Sequence, residues 1–129
     1  MPKTLEGACL CGAVTFAIDL PTKWCAHCHC SMCRRAHGAA FVTWIGVDAG
    51  QFRWIDAGAL RSFASSPQAS RSFCGTCGST LTFESSRWEG EVHIARANIP
   101  GAIDRAPSKH AFYKDRADWV RIPADEVPA

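Results

Sequence analysis

Seven of the eight cysteines in this 129-residue chain fall in three tight groups: Cys9 and Cys11; Cys28, Cys30 and Cys33; Cys74 and Cys77. Thiolates two or three positions apart can converge on one metal ion, and a borderline-soft cation such as zinc suits them best. Seven ligands are too many for one tetrahedral site and one short of two closed ones. The division this predicts is one closed four-thiolate site and one three-thiolate site with an open position. A catalytic zinc has the second form.

The two-cysteine groups each supply half of a tetrahedral site, so Cys9, Cys11, Cys74 and Cys77 are expected to hold a structural zinc. Cys74-x-x-Cys77 on its own also has a redox reading. A redox pair is followed by a helix, however, and Cys77-Gly78-Ser79-Thr80 leads into a β-like run. The middle group straddles a strand end and a first helical turn. Cys33 falls at about the second helical position, where backbone N–H groups favour a thiolate. Arg34 and Arg35 follow at once. Their forked donors suit a carboxylate-bearing substrate, and both equally suit a solvated helix face.

Cys25, His27, His29 and His37 are all near enough in sequence to close the second site. Cys25, beside Trp24 in an apolar strand, reads as a buried core cysteine, although it also makes a Cys-x-x-Cys pair with Cys28. His29 lies between two ligands and, in a strand, points away from both. His93 and His110 are lone histidines with ordinary core or surface readings. His110, close to Phe112 and Tyr113, could also reach a pocket from the C-terminal segment.

The elements that position these groups are mostly short strands. Ala13 to Leu20 alternates with period two, placing Val14, Phe16, Ile18 and Leu20 on one face. Lys23 to His27 reads as a strand, and Ser31 caps a short helix from Met32 to His37 that stops at Gly38. Further strands are expected over Phe41–Val47, Gln51–Ile55, Leu60–Ala64, Arg71–Phe73 and Glu91–Ala97, with Leu81–Glu84 pairing back as a hairpin. Ser65 to Ser70 reads as a loop around Pro67. From Pro100 the chain is Pro-rich and irregular, anchored by Phe112, Tyr113, Trp119, Val120 and Ile122.

The length predicts a single domain over residues 1–129 with its core in 7–122. Apolar residues at 47% and charged residues at 20% suit a folded globule. A formal charge of +2, falling to about −1 with seven thiolates and two Zn²⁺, gives no support to a nucleic-acid partner. No apolar run approaches a membrane span, and Met1 to Cys9 lacks a signal-peptide pattern. A cytoplasmic location, where thiols stay reduced, is the expectation.

Four stretches carry a family resemblance. They are Gly7-Ala-Cys-Leu-Cys-Gly-Ala-Val-Thr-Phe16, Cys28-His-Cys-Ser-Met-Cys-Arg-Arg-Ala-His-Gly-Ala39, Arg71-Ser-Phe-Cys-Gly-Thr-Cys-Gly-Ser-Thr-Leu81, and His110-Ala-Phe with Trp119. The chain resembles the glutathione-dependent formaldehyde-activating (centromere protein V-type) family from about Gly7 to Ile122. The resemblance implies a mainly β, Mss4-like fold of several small antiparallel sheets around zinc. It also implies two zinc ions per chain: a structural one on Cys9, Cys11, Cys74 and Cys77, and a catalytic one on Cys28, Cys30 and Cys33. The activity it implies is addition of glutathione to formaldehyde and its reversal, a carbon–sulfur lyase reaction. Arg34, Arg35 and His110 are the candidate substrate-binding residues on their own chemistry and position. A non-catalytic zinc module that holds a protein partner is the alternative, and it predicts a closed second site or an exposed apolar patch in place of a pocket. Oligomeric state is not legible in the sequence.

Overall fold

Alternating apolar residues make sheet faces, and here one sheet uses both of its faces for different purposes. The computed structural model describes residues 3–123. Strands β1 (Thr4–Ala8), β2 (Thr15–Asp19) and β5 (Phe52–Asp56) form a three-stranded antiparallel sheet in the order β1-β2-β5. A seven-stranded sheet is built from β3 (Trp24–Cys28), β4 (Val42–Asp48), β6 (Leu60–Ser66), β7 (Ala69–Cys74), β8 (Thr80–Ser85), β9 (Glu91–Ala95) and β10 (His110–Ala111). Its order is β10-β3-β4-β9-β8-β7-β6. Every pair is antiparallel except β10 beside β3.

The mainly β reading holds, with most strands gathered into the one larger sheet. Phe16 and Ile18 of β2, with Val14, are fully buried against Ile45 and Val47 of β4 and Val92 and Ile94 of β9. This cluster fills the space between the two sheets. The opposite face of the large sheet presents Trp24, Ala26 and Cys28 from β3, Trp44 from β4, Phe83 from β8 and His93 from β9. Strand parity therefore separates a dry core from a cavity wall.

The α-helix α1 (Ser31–His37) ends as expected at Gly38, whose φ of 60° is open to glycine at little cost. Its start differs from the expectation. Cys30, not Ser31, is the N-cap, and its sulfur accepts from the Cys33 N–H at 3.3 Å. A thiol thus does the work of the usual hydroxyl.

Three stretches escaped the sequence reading. Ser65 to Ser70 is no loop: β6 and β7 continue through it into a hairpin that turns at Pro67 and Gln68. Residues Thr4–Ala8 form β1, held by β2. The irregular C-terminal segment carries β10, whose two residues pair with His27 and Cys28. The same segment is anchored by Asp104, which accepts from the backbone N–H and hydroxyl of buried Thr22 at 2.9 and 2.8 Å.

Candidate metal centre

The first thiol set is made where two hairpins meet. Cys9 and Cys11 sit in the turn between β1 and β2; Cys74 ends β7 and Cys77 lies in the turn before β8. All four sulfurs lie within 4.8 Å of one another. The Cys9–Cys11 and Cys11–Cys74 separations are 3.7 and 3.8 Å. Two sulfurs bound tetrahedrally at about 2.3 Å from zinc lie about 3.8 Å apart, so the donor set fits that ion. Backbone N–H groups of Val14, Thr76 and Cys77 point at Cys9 and Cys74 sulfurs at 3.3–3.4 Å, which favours thiolates. Hydrogen bonds from the Ser79 hydroxyl and backbone pull Cys77 down to about 5.

The second set is smaller and lies on the cavity face. Cys28 ends β3, Cys30 caps α1 and Cys33 is in its first turn, with Cys28 and Cys33 sulfurs 3.6 Å apart. That spacing again fits zinc. No fourth Cys, His, Asp or Glu joins these three among the described residues. Hydrogen bonds from the Cys28 and Cys33 thiols, helped by the Cys33 N–H and the Arg71 charge, outweigh burial and pull Cys30 down to about 2. The same bonds, with burial, push Cys28 up.

None of the candidate fourth ligands joins the three thiols. Cys25 is fully buried in the core between the sheets, one residue out of phase with Cys28's face, and burial pushes its thiol up. The Nδ1 of His27 pairs with the Thr43 hydroxyl at 2.8 Å. His29 has left the strand and is buried, its Nε2 2.8 Å from His110 Nδ1. His37 lies edge-on to Trp44, and burial with the nearby Arg71 charge pulls it down to about 4, so it is neutral at neutral pH.

The three thiols open onto a cavity of about 450 Å³. Its walls are aromatic, with Trp24, Trp44, Phe83 and Trp88, and its cations are Arg71, Arg87 and Lys109. Arg34 and Arg35 are not part of this lining. Arg34 donates to the backbone carbonyls of His29 at 3.4 Å and Asp115 at 3.1 Å and lies over Trp119. Arg35 lines a neighbouring hollow with Phe63 and Phe73. His110 turns away from the cavity while Lys109 and Ala111, on either side of it, face in. An extended chain alternates its faces, and that parity was the available signal for Lys109 over His110. His93 is buried in the wall and paired with Glu91 at 3.0 Å, as a core histidine would be.

A family model described as the glutathione-dependent formaldehyde-activating enzyme matches residues 4–115. The chain belongs to this family. A Halomonas elongata protein that carries the provisional name of a glutathione-dependent formaldehyde-activating enzyme is 30% identical over 130 aligned positions. The alignment covers 95% of this chain and 83% of that protein. A crystal structure of a Rhodobacter sphaeroides protein superposes with a TM-score of 0.66 at 25% identity, covering 78% of this chain and 93% of that one. Membership in the formaldehyde-activating family extends over both thiol sets, which lie wholly inside the matched residues.

Proposed function

We propose that the protein is a zinc-dependent carbon–sulfur lyase that adds a thiol such as glutathione to a small aldehyde and reverses the addition. The observation that carries this reading is the open set of Cys28, Cys30 and Cys33 in a cavity wall. Zinc held there would lower the pKa of a thiol and polarise a carbonyl. The family and the Halomonas relative support glutathione and formaldehyde as the substrates; their adduct is S-hydroxymethylglutathione.

The chain's own residues supply binding and exclusion of water. Arg87 and Lys109 present cations to the cavity, suited to the carboxylates of glutathione. Arg87 is pre-placed by stacking on Trp88, its guanidinium carbon 4.9 Å from the ring centre. Arg34 acts from outside, fixing the Asp115 carbonyl of the segment that closes the cavity's edge. Arg35 remains available on the helix surface, and His110 positions Lys109 through its bond to His29. The aromatic wall keeps the reacting groups out of bulk water, where electrostatic contacts are weak. A cytoplasmic setting, where thiols stay reduced, suits this chemistry.

The test is exchange spectroscopy of formaldehyde, glutathione and their adduct with the zinc-loaded protein. Acceleration over the uncatalysed exchange, lost on Cys30→Ser, is expected. An exchange rate the protein leaves unchanged contradicts the reading, and the zinc module that holds a protein partner then leads.

A further inference from the structure

Three buried side-chain polar atoms among the described residues have no hydrogen-bond partner: Arg71 Nη1, Ser65 Oγ and His37 Nε2. Two of them belong to Arg71 and Ser65, which stand between the thiolate cavity and the neighbouring hollow and line both. Leaving such donors unmade costs free energy, so their survival in a folded protein asks for a partner that is not part of the chain.

Arg71 is only 6% exposed. Its guanidinium carbon lies 4.8 Å from the Phe83 ring centre, and Nη2 reaches Cys33 Sγ at 3.6 Å. The charge is thus fixed between a cavity aromatic and a thiolate ligand, with Nη1 left over. Ser65 arrives by a different route. The β6–β7 register shifts between Ala64 and Ser66, so Ser65 stands outside the ladder. A bulge of this kind re-aims a side chain and is common beside active sites. A guanidinium N–H and a hydroxyl both donate, and the ligand they suit is an oxygen carrying negative charge.

We infer that Arg71 Nη1 and Ser65 Oγ form the oxygen-binding subsite of this centre, holding the aldehyde carbonyl oxygen and the alkoxide it becomes. The inference rests on the lyase reading. The substrate thiolate's sulfur lone pair forms the carbon–sulfur bond at the carbonyl carbon. The carbonyl π pair moves onto oxygen, the two donors hold the resulting charge, and a solvent proton completes the hydroxymethyl thioether. Reversal returns that proton and breaks the same bond. Fixed donors aimed at developing charge need no reorganisation during the reaction.

The experiment titrates sodium formate, a planar oxyanion that accepts hydrogen bonds, into zinc-loaded wild type, Arg71→Lys and Ser65→Ala. The readouts are fluorescence of the cavity tryptophans and zinc content per chain. Saturable formate binding is expected in wild type, weakened about ten-fold or more by Arg71→Lys and several-fold by Ser65→Ala, with zinc content unchanged. Binding that is absent in wild type, or equal in wild type and Ser65→Ala, overturns the subsite. Should Arg71→Lys shed zinc, Ser65→Ala, which touches no ligand, decides alone. Exchange kinetics on the same samples separate the two ideas. Formate binding that depends on Ser65 without accelerated exchange removes the lyase and keeps the subsite. Accelerated exchange with formate binding indifferent to Ser65 does the reverse.

Discussion

Cys30 carries two duties, as cap of α1 and as a member of the three-thiol set. Cys30→Ser keeps a capping oxygen, so circular dichroism should stay that of wild type while zinc falls from two ions per chain to one. Unchanged zinc content would remove Cys30 from the ligand set. Cys25→Ala should behave in the opposite way, retaining both ions and losing about 1 kcal/mol of stability in a denaturant titration. Loss of zinc on that change would make Cys25 a ligand after all. The thiol groups that gather in the fold were legible because metal chemistry imposes short spacings on the sequence. The cavity cations were not, since Arg71, Arg87 and Lys109 come from separate elements that only the sheet brings together. Arg34 and Arg35 drew attention by adjacency to Cys33, yet a helix turns them away from the face its own first turn presents.

At the scale of elements, pairing in the large sheet lines up Arg71 with Phe83, Phe83 with His93, His93 with Gly46 and Gly46 with Trp24. This cross-strand row is the floor of the cavity. A Cβ at Gly46 would fall 2.2 Å from Trp24 Cε2, so the missing side chain lets the indole lie over the sheet. Gly46→Ala should therefore cost about 1–3 kcal/mol by denaturant midpoint and alter the cavity tryptophan emission. A variant as stable as wild type would show that Trp24 moves aside freely. Asp104→Ala would strand the buried Thr22 hydroxyl and N–H, and a loss of about 1–3 kcal/mol is expected from thermal unfolding. A Tm equal to that of wild type would contradict this anchoring. Period-two alternation made the central strands readable. Pro67 read as a loop but occupies a tight hairpin turn, and β10 is too short to carry any periodicity. Its strand character comes from the edge of β3, which sequence pattern does not record.

Across the whole molecule, the four-thiolate set ties the turn of the small sheet to the β7–β8 hairpin of the large one. The three-thiolate set joins a strand end to the only α-helix among the described residues. A metal ion on the first would hold the sheets together; the second is the one that faces the cavity. Removing zinc with a chelator should lower the thermal midpoint by on the order of 10 °C or more, because metal binding and folding share free energy. A midpoint that chelation does not move would deny the closed set its structural role. Zinc-edge X-ray absorption reports on the division of seven thiols into a closed and an open site. A mean of about 3.5 sulfurs per zinc is expected in the protein alone, rising to about 4 when glutathione is added. A sulfur count that glutathione leaves unchanged would deny the second site an open position for a thiol.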